Sequence, residues 1–284
     1  MMSLPNTPQS LPCPGNTYTS APRNIHPFCR LFPGIAFYWS MCATLRNAAA
    51  IAKRGDWSAA VWIEASRRIL EGLERSGVSI TIRNMDSFIT LESPCVFISN
   101  HMSTLETFLL PGIIHPHKPV TFVVKESLLR YPYFRHVMRA TAPIVVARKD
   151  PRADFATVMT EGCRYLEQGI SVVVFPQSTR TASLDPSQFN SLGIKLARKA
   201  GVPAIPLALR SDAWGLNGLF GLLKDHGPIN PAIPVSFAFG PPIAVTGNGK
   251  AEHAQVYEFI RSCLEEWGIH SPRLLQAAAG TGGE

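Results

Sequence analysis

The sequence predicts a layered α/β domain, with a mixed sheet flanked by helices and an N-terminal pair of helices in front of it. Three observations carry that expectation. From residue 78 onward, short β-branched runs alternate with helical patterns, the arrangement of helices layered on a sheet. The 284 residues are 46% hydrophobic and only 17% charged, enough to bury one sizeable core without disulfides or metals. The first 55 residues hold five basic side chains and no acidic one around the aromatic run Phe37-Tyr38-Trp39. Basic residues beside an apolar helix suit an anionic lipid surface, so this pair is expected to be membrane-associating.

Taken in order, residues 1–30 read as a Pro-rich flexible extension, because seven prolines fall within residues 1–34 and no clean apolar signal stretch is present. Residues 31–75 read as membrane-surface helices. The apolar run Ile35 to Leu45 is stopped by Arg46 and Asn47, which leaves it short of the 18 or so residues of a spanning helix. A second helix is expected from an N-cap at Asp56, with Ala60, Ile63, Ile69, Leu70 and Leu73 as its stripe and Gly77 as its stop. Residues 76–275 form the α/β domain. Its strands are expected at 78–82, 95–99, 120–124, 144–147, 170–175, 204–209 and 235–239, and its helices near 105–110, 126–138, 154–168, 190–200 and 252–267. The small, polar residues 276–284 read as a flexible tail.

Several functions are disfavoured by composition. Lys+Arg 27 against Asp+Glu 20 gives +7, but no nucleic-acid reader motif accompanies the charge. The six cysteines lie far apart with no Cys-x-x-Cys pair, which disfavours a zinc ribbon or redox site and suits a reducing compartment. His115-Pro-His117 has no acid or Cys at ligand spacing and reads as loop, so no metal site is expected.

Two segments could carry chemistry. Asn100-His101-Met102-Ser103-Thr104-Leu105-Glu106 follows the apolar run CVFIS, which places a histidine where a buried strand enters a turn. His101 and Glu106 can meet if the histidine precedes the helix and the carboxylate lies in its first turn. Ser103-x-x-Glu106 is equally a capping box, in which Glu106 bonds backbone. The similar pair His253 and Glu258 lies within a helical pattern, where five residues turn the side chains about 140° apart. The second segment, Phe175-Pro176-Gln177-Ser178-Thr179-Arg180, ends a strand in a hydroxyl-rich turn. Arg180 there offers a fork matched to phosphate or carboxylate, or it pairs with an acidic neighbour. Ser178 lacks the Gly-x-Ser-x-Gly elbow of a nucleophile. Between the two segments, residues 118–152 hold eight basic side chains against Glu126 and Asp150, an anionic-ligand site or a solvated face.

In this order the blocks resemble the glycerophospholipid acyltransferase family, best known for 1-acylglycerol-3-phosphate acyltransferases. Asn100-His101 to Glu106 is similar to the family's Asn-His-x-x-x-x-Asp. Lys125, Leu129, Pro132, Ile144 and Arg148 are similar to its second block, Phe175 to Arg180 to Phe-Pro-Glu-Gly-Thr-Arg, and Val202 to Leu207 to Val-Pro-Ile-Val-Pro. Glu106, Gln177, Ser178, Arg135 and Ala142 depart from the family pattern.

The resemblance implies acyl transfer from a thioester, acyl-CoA or acyl carrier protein, to a lysophospholipid hydroxyl, with 1-acylglycerol 3-phosphate the leading acceptor. His101 would be the general base and Glu106 its orienting carboxylate. Arg180, Lys125 and Thr179 would grip the acceptor phosphate, and Asn100, Ser103, Phe175, Pro176, Gln177, Ser178 and Arg148 would line the acceptor pocket. A thioester is already activated, so neither cofactor nor metal is implied. Membrane lipids are the implied partners, at the cytoplasmic face. The alternatives are a different acceptor (glycerol 3-phosphate, another lysophospholipid or an amino-acid lipid) and a non-catalytic lipid-binding protein.

Overall fold

The computed structural model describes residues 16–130, 134–177, 179–215 and 227–271. Eight strands form one sheet in the order β1-β2-β8-β7-β3-β6-β4-β5. They are β1 (Thr17–Thr19), β2 (Ile80–Arg83), β3 (Val96–Ser99), β4 (Val120–Lys125), β5 (Ile144–Val146), β6 (Ser171–Val174), β7 (Ala204–Arg210) and β8 (Val235–Phe239). Pairing is parallel except for β1 with β2 and β7 with β8, so the sheet is mixed, as expected. At its centre β3 pairs with both β6 and β7.

Because successive side chains on a strand point to opposite faces, the buried runs supply two cores. On one face Phe97, Phe122, Val173, Ile205 and Phe237 meet α2 (Pro33–Arg54), α3 (Ala59–Arg75) and α5 (Leu105–Ile114). On the other, Val96, Ile98, Val172, Val174 and Ala204 meet α7 (Pro151–Glu167), α8 (Leu192–Ala200) and α9 (Lys250–Glu266). The remaining helices are short: α1 (Pro27–Leu31), α4 (Asp86–Ile89) and α6 (Phe134–Ala140).

The N-terminal helices are half core. Phe37 and Met41 of α2 and Ile69, Leu70 and Leu73 of α3 belong to the same buried cluster as the sheet. The outer side stays bare at Leu31 (72% exposed), Ile35 and Trp39 (81% exposed). No helix among the described residues is long and apolar enough to cross a membrane. Against α5, α3 approaches closely at Gly112, where an added Cβ would stand 2.7 Å from Ser66 Oγ. That hydroxyl accepts the Gly112 N–H at 2.7 Å and donates to the Phe108 carbonyl at 2.5 Å. It thereby bridges the Phe108–Gly112 rung of α5, next to Pro111.

Three expectations are corrected. Residues 17–19 and 27–30, read as loose extension, form β1 and most of α1; residues 1–15 lie outside the described part. The cap of α3 is Ser58, whose Oγ accepts from Val61 N at 3.4 Å, rather than Asp56. The helix expected over 126–138 is instead a 3-10 turn (Glu126–Arg130) followed by α6. Pro132, which cannot donate to a continuous helical ladder, lies between them and outside the described residues. The tail 276–284 also lies outside the described residues.

Candidate active site

The site is assembled where the parallel strands end, the usual place for ligands in such sheets. Ser99 closes β3, and the two residues after it are buried. The Asn100 amide donates to Leu209 O (2.9 Å) and accepts from Leu209 N (2.8 Å), imitating one more rung of the β3–β7 ladder. The Asn100 amide is thus taken up by this strand.

His101 and Glu106 meet. Nδ1 of the ring lies 2.9 Å from Glu106 Oε1, and the carboxylate is 0% exposed, the ring's residue 8%. Both sequence readings of Glu106 hold at once. The same carboxylate accepts the backbone N–H of Met102 (2.7 Å) and of Ser103 (3.0 Å), as in a capping box. Ser103 Oγ and Ser211 Oγ donate to Oε2 at 3.0 and 2.6 Å. Ser103 is thus part of the turn that carries His101. Burial pushes the Glu106 carboxyl up, but the His101 hydrogen bond and charge, the Ser211 hydroxyl and the backbone N–H groups outweigh it and hold it below the usual carboxylate range. A buried anion is tolerable here because every lone pair is aimed at a donor.

The second segment packs on the first. Phe175, just past β6, stacks on the His101 ring with centroids 4.4 Å apart and planes at 23°. Gln177 is buried; its Oε1 accepts the His101 N–H (3.0 Å) and its Nε2 donates to Thr181 Oγ1 (2.7 Å). Thr181 N in turn donates to the His101 carbonyl at 3.0 Å, which fixes Arg180, its neighbour in sequence, beside the histidine turn. Pro176 is buried and Thr179 exposed, while Ser178 lies outside the described residues.

Two cations face each other across this end of the sheet. Arg148 has a left-handed backbone (φ 56°) held by Asp154, which accepts from Ala147 N (2.9 Å) and Arg148 N (2.8 Å). Although Arg148 is exposed by area, desolvation of its charged end and the nearby Arg180 cation lower its guanidinium from the ordinary value, with Asp154 opposing. Lys125 is exposed at the end of β4, in register with Val146 and two strands from β3. A cleft of about 420 Å³ opens beside them, lined by Arg148, Phe155, Phe175, Gln177, Leu192 and Lys195 among others. Ser211 and Asp154 were not legible in the sequence; no motif or spacing singles out either.

A strand-end histidine–carboxylate pair thus lies near two arginines on a mixed α/β sheet. The sequence pattern of the Acyltransferase family matches residues 79–210. The chain is 28% identical over 191 residues to a 1-acyl-sn-glycerol-3-phosphate acyltransferase of Pseudomonas aeruginosa, covering 67% of this chain and 69% of that protein. It is 25% identical over 171 residues to its Escherichia coli namesake, covering 60% and 65%. Against a chloroplastic Brassica napus relative, BAT2, it is 27% identical and spans 43% of that protein. The crystal structure of the LPA acyltransferase PlsC from Thermotoga maritima aligns with a TM-score of 0.60 at 16% identity, covering 87% of this chain and 98% of that one, a likeness of fold. Residues 79–210 thus form an Acyltransferase-family domain, and the chain is an acyltransferase similar to the glycerophospholipid enzymes.

Proposed function

We propose that this acyltransferase moves a fatty acyl group from a thioester, acyl-CoA or acyl carrier protein, to the free hydroxyl of a lysophospholipid, foremost 1-acylglycerol 3-phosphate. The observation that carries the reading is the His101 Nδ1 to Glu106 Oε1 contact of 2.9 Å. With Nδ1–H given to the carboxylate, Nε2 is the nitrogen left to take a proton.

In the proposed step, the acceptor hydroxyl passes its proton to His101 Nε2 as its oxygen bonds to the thioester carbonyl carbon. The C–S bond then breaks, and the leaving sulfur takes the proton back from the imidazolium. An ester and a free thiol result, and the imidazole is regenerated. Arg180 and Arg148, joined by Lys125 and Thr179 at the rim, would hold the acceptor phosphate and so position the hydroxyl.

The acceptor's lipid nature motivates a membrane seat at the cytoplasmic face. Support comes from the bare apolar side chains Phe28, Leu31, Phe32, Ile35 and Trp39, close in sequence to Arg23 and Arg30, and from free thiols at Cys29, Cys42, Cys95, Cys163 and Cys263. Since Phe37 and Met41 are core, point changes test this seat better than deletion. Trp39→Glu with Ile35→Glu should abolish flotation with anionic vesicles while leaving the melting temperature unchanged.

The catalytic reading is tested by His101→Ala. Thiol release from an acyl-CoA in the presence of 1-acylglycerol 3-phosphate should fall by at least about a thousandfold in a folded protein. A variant retaining most of its rate removes His101 as base, and a wild-type protein releasing thiol only with another acceptor reassigns the substrate.

A further inference from the structure

We propose that Ser211 is a positioning residue of the reaction: its hydroxyl holds Glu106, and through it the His101 ring, in register with the sheet. The proposal rests on the catalytic reading of His101 and Glu106 given above.

Ser211 follows β7 immediately, beyond the residues that match the family pattern. It is fully buried, and its Oγ lies 2.6 Å from Glu106 Oε2 and 2.9 Å from Ser103 Oγ. The donors Met102 N, Ser103 N and Ser103 Oγ all belong to the turn that carries His101. They move with that turn and cannot fix it in space. Ser211 comes from 105 residues further along the chain, so it sets the carboxylate against an independent element.

The contact completes a series. Ser99 Oγ donates to Leu207 O at 2.7 Å, the Asn100 amide pairs with both Leu209 backbone groups, and Ser103 and Glu106 reach Ser211. Positions 207, 209 and 211 are two apart, the repeat of a strand. Side chains of the β3 exit therefore continue the β3–β7 ladder after the main chain has left it. The last rung of that ladder is the one that touches the catalytic carboxylate.

Chemistry sets the roles within the rung. A buried carboxylate accepts and never donates at neutral pH, so the Ser211 proton goes to Glu106, and the single Ser103 hydroxyl proton is shared between Glu106 Oε2 and Ser211 Oγ. Hydrogen bonds to a charged acceptor in a dry site are strong and directional. Loss of this one would let Glu106 rotate and weaken its hold on Nδ1–H without changing any group that meets substrate.

The experiment compares Ser211→Ala, Ser211→Cys and Ser211→Thr in the full chain, measuring thiol release from an acyl-CoA with 1-acylglycerol 3-phosphate, alongside thermal melting. Expected are a kcat lowered roughly 10- to 100-fold in Ser211→Ala, KM values for both substrates within about twofold of wild type, and recovery of most of kcat in Ser211→Thr, which restores the hydroxyl. Ser211→Cys, close to serine in size with a weak donor, is expected to fold and to lie between; it decides the matter if Ser211→Ala does not fold. Wild-type kcat in folded Ser211→Ala or Ser211→Cys overturns the proposal, as does a kcat loss matched by equal loss in Ser211→Thr. His101→Ala, assayed in parallel, separates the two readings. If it stays active the catalytic assignment fails, whereas an inactive His101→Ala beside an unimpaired Ser211→Ala sinks the Ser211 role alone.

Discussion

Phe175 lies flat over His101, the ring centroids 4.4 Å apart. The stack covers one face of the imidazole and leaves its edge nitrogens to Glu106 and to the reacting groups. Phe175 also lines the cleft, so it forms the wall between the histidine and the space beside it. Offset aromatic pairs contribute about 0.5–1.5 kcal/mol beyond their area. Phe175→Ala is therefore expected to lower kcat about tenfold through a looser imidazole, and Phe175→Tyr, which keeps the stack, to stay within about threefold. Steady-state kinetics beside a melting curve would check both; an Ala variant as fast as wild type would show that the stack does not orient the ring.

The Glu106 carboxyl gives a pH prediction whose sign is fixed. Its folded-state value lies below the ordinary one, so the charged form is favoured by folding. The contribution to stability is then complete above about pH 4.3, the unperturbed value, and is lost as pH falls through the lower folded value. Glu106→Gln removes the charge and should cost about 1–3 kcal/mol at pH 7. The gap between wild type and variant should narrow as the pH falls below about 4.3. Denaturant unfolding across that range measures it, and a gap that is constant with pH would mean that Glu106 is not held as a carboxylate.

The seven strands of the α/β domain were legible because each is a compact apolar run, fully buried in β3, β6 and β8 and at least half buried in the others. The His101–Glu106 pair was legible as one of two alternatives, and the structure shows one carboxylate doing both jobs. What was not legible depends on distant partners. β1 has only three residues in a proline-rich stretch. The segment around it is fastened by a buried carboxylate far along the chain: Glu74 accepts from Tyr18 Oη (2.5 Å) and Ser20 Oγ (2.6 Å) and pairs with Arg23 (2.9 Å). Ser211 and Asp154 likewise announce themselves only through what the fold brings to them.

That buried carboxylate carries its own prediction. Glu74 is 3% exposed on α3, with two hydroxyls and a guanidinium converging on it from residues 18–23. Removing the carboxylate leaves the buried Tyr18 hydroxyl and the half-buried Ser20 hydroxyl without their acceptor and frees the exposed Arg23, at a cost of about 1–3 kcal/mol. Glu74→Ala should lower the melting temperature sharply and make residues 16–25 accessible to protease under native conditions. Limited proteolysis followed by mass spectrometry would read the cut site; protection equal to wild type would mean that β1 is held by its ladder to β2 alone.

Arg148 offers a substitution in which stability and function should part. Its φ of 56° places a residue with a Cβ in the left-handed region, which costs a non-glycine residue roughly 1 kcal/mol or more. The loop accepts that conformation because Asp154 takes both the Ala147 and Arg148 N–H groups, and the result is a guanidinium set against Arg180. Glycine adopts the same backbone without strain. Arg148→Gly should therefore keep or slightly raise the melting temperature, while the acceptor KM rises about tenfold or more through loss of a phosphate donor and the donor KM stays put. Arg148→Lys, which keeps one charge but not the fork, should fall between. If the glycine variant binds acceptor as well as wild type, the strained loop serves packing and Arg180 holds the phosphate without it.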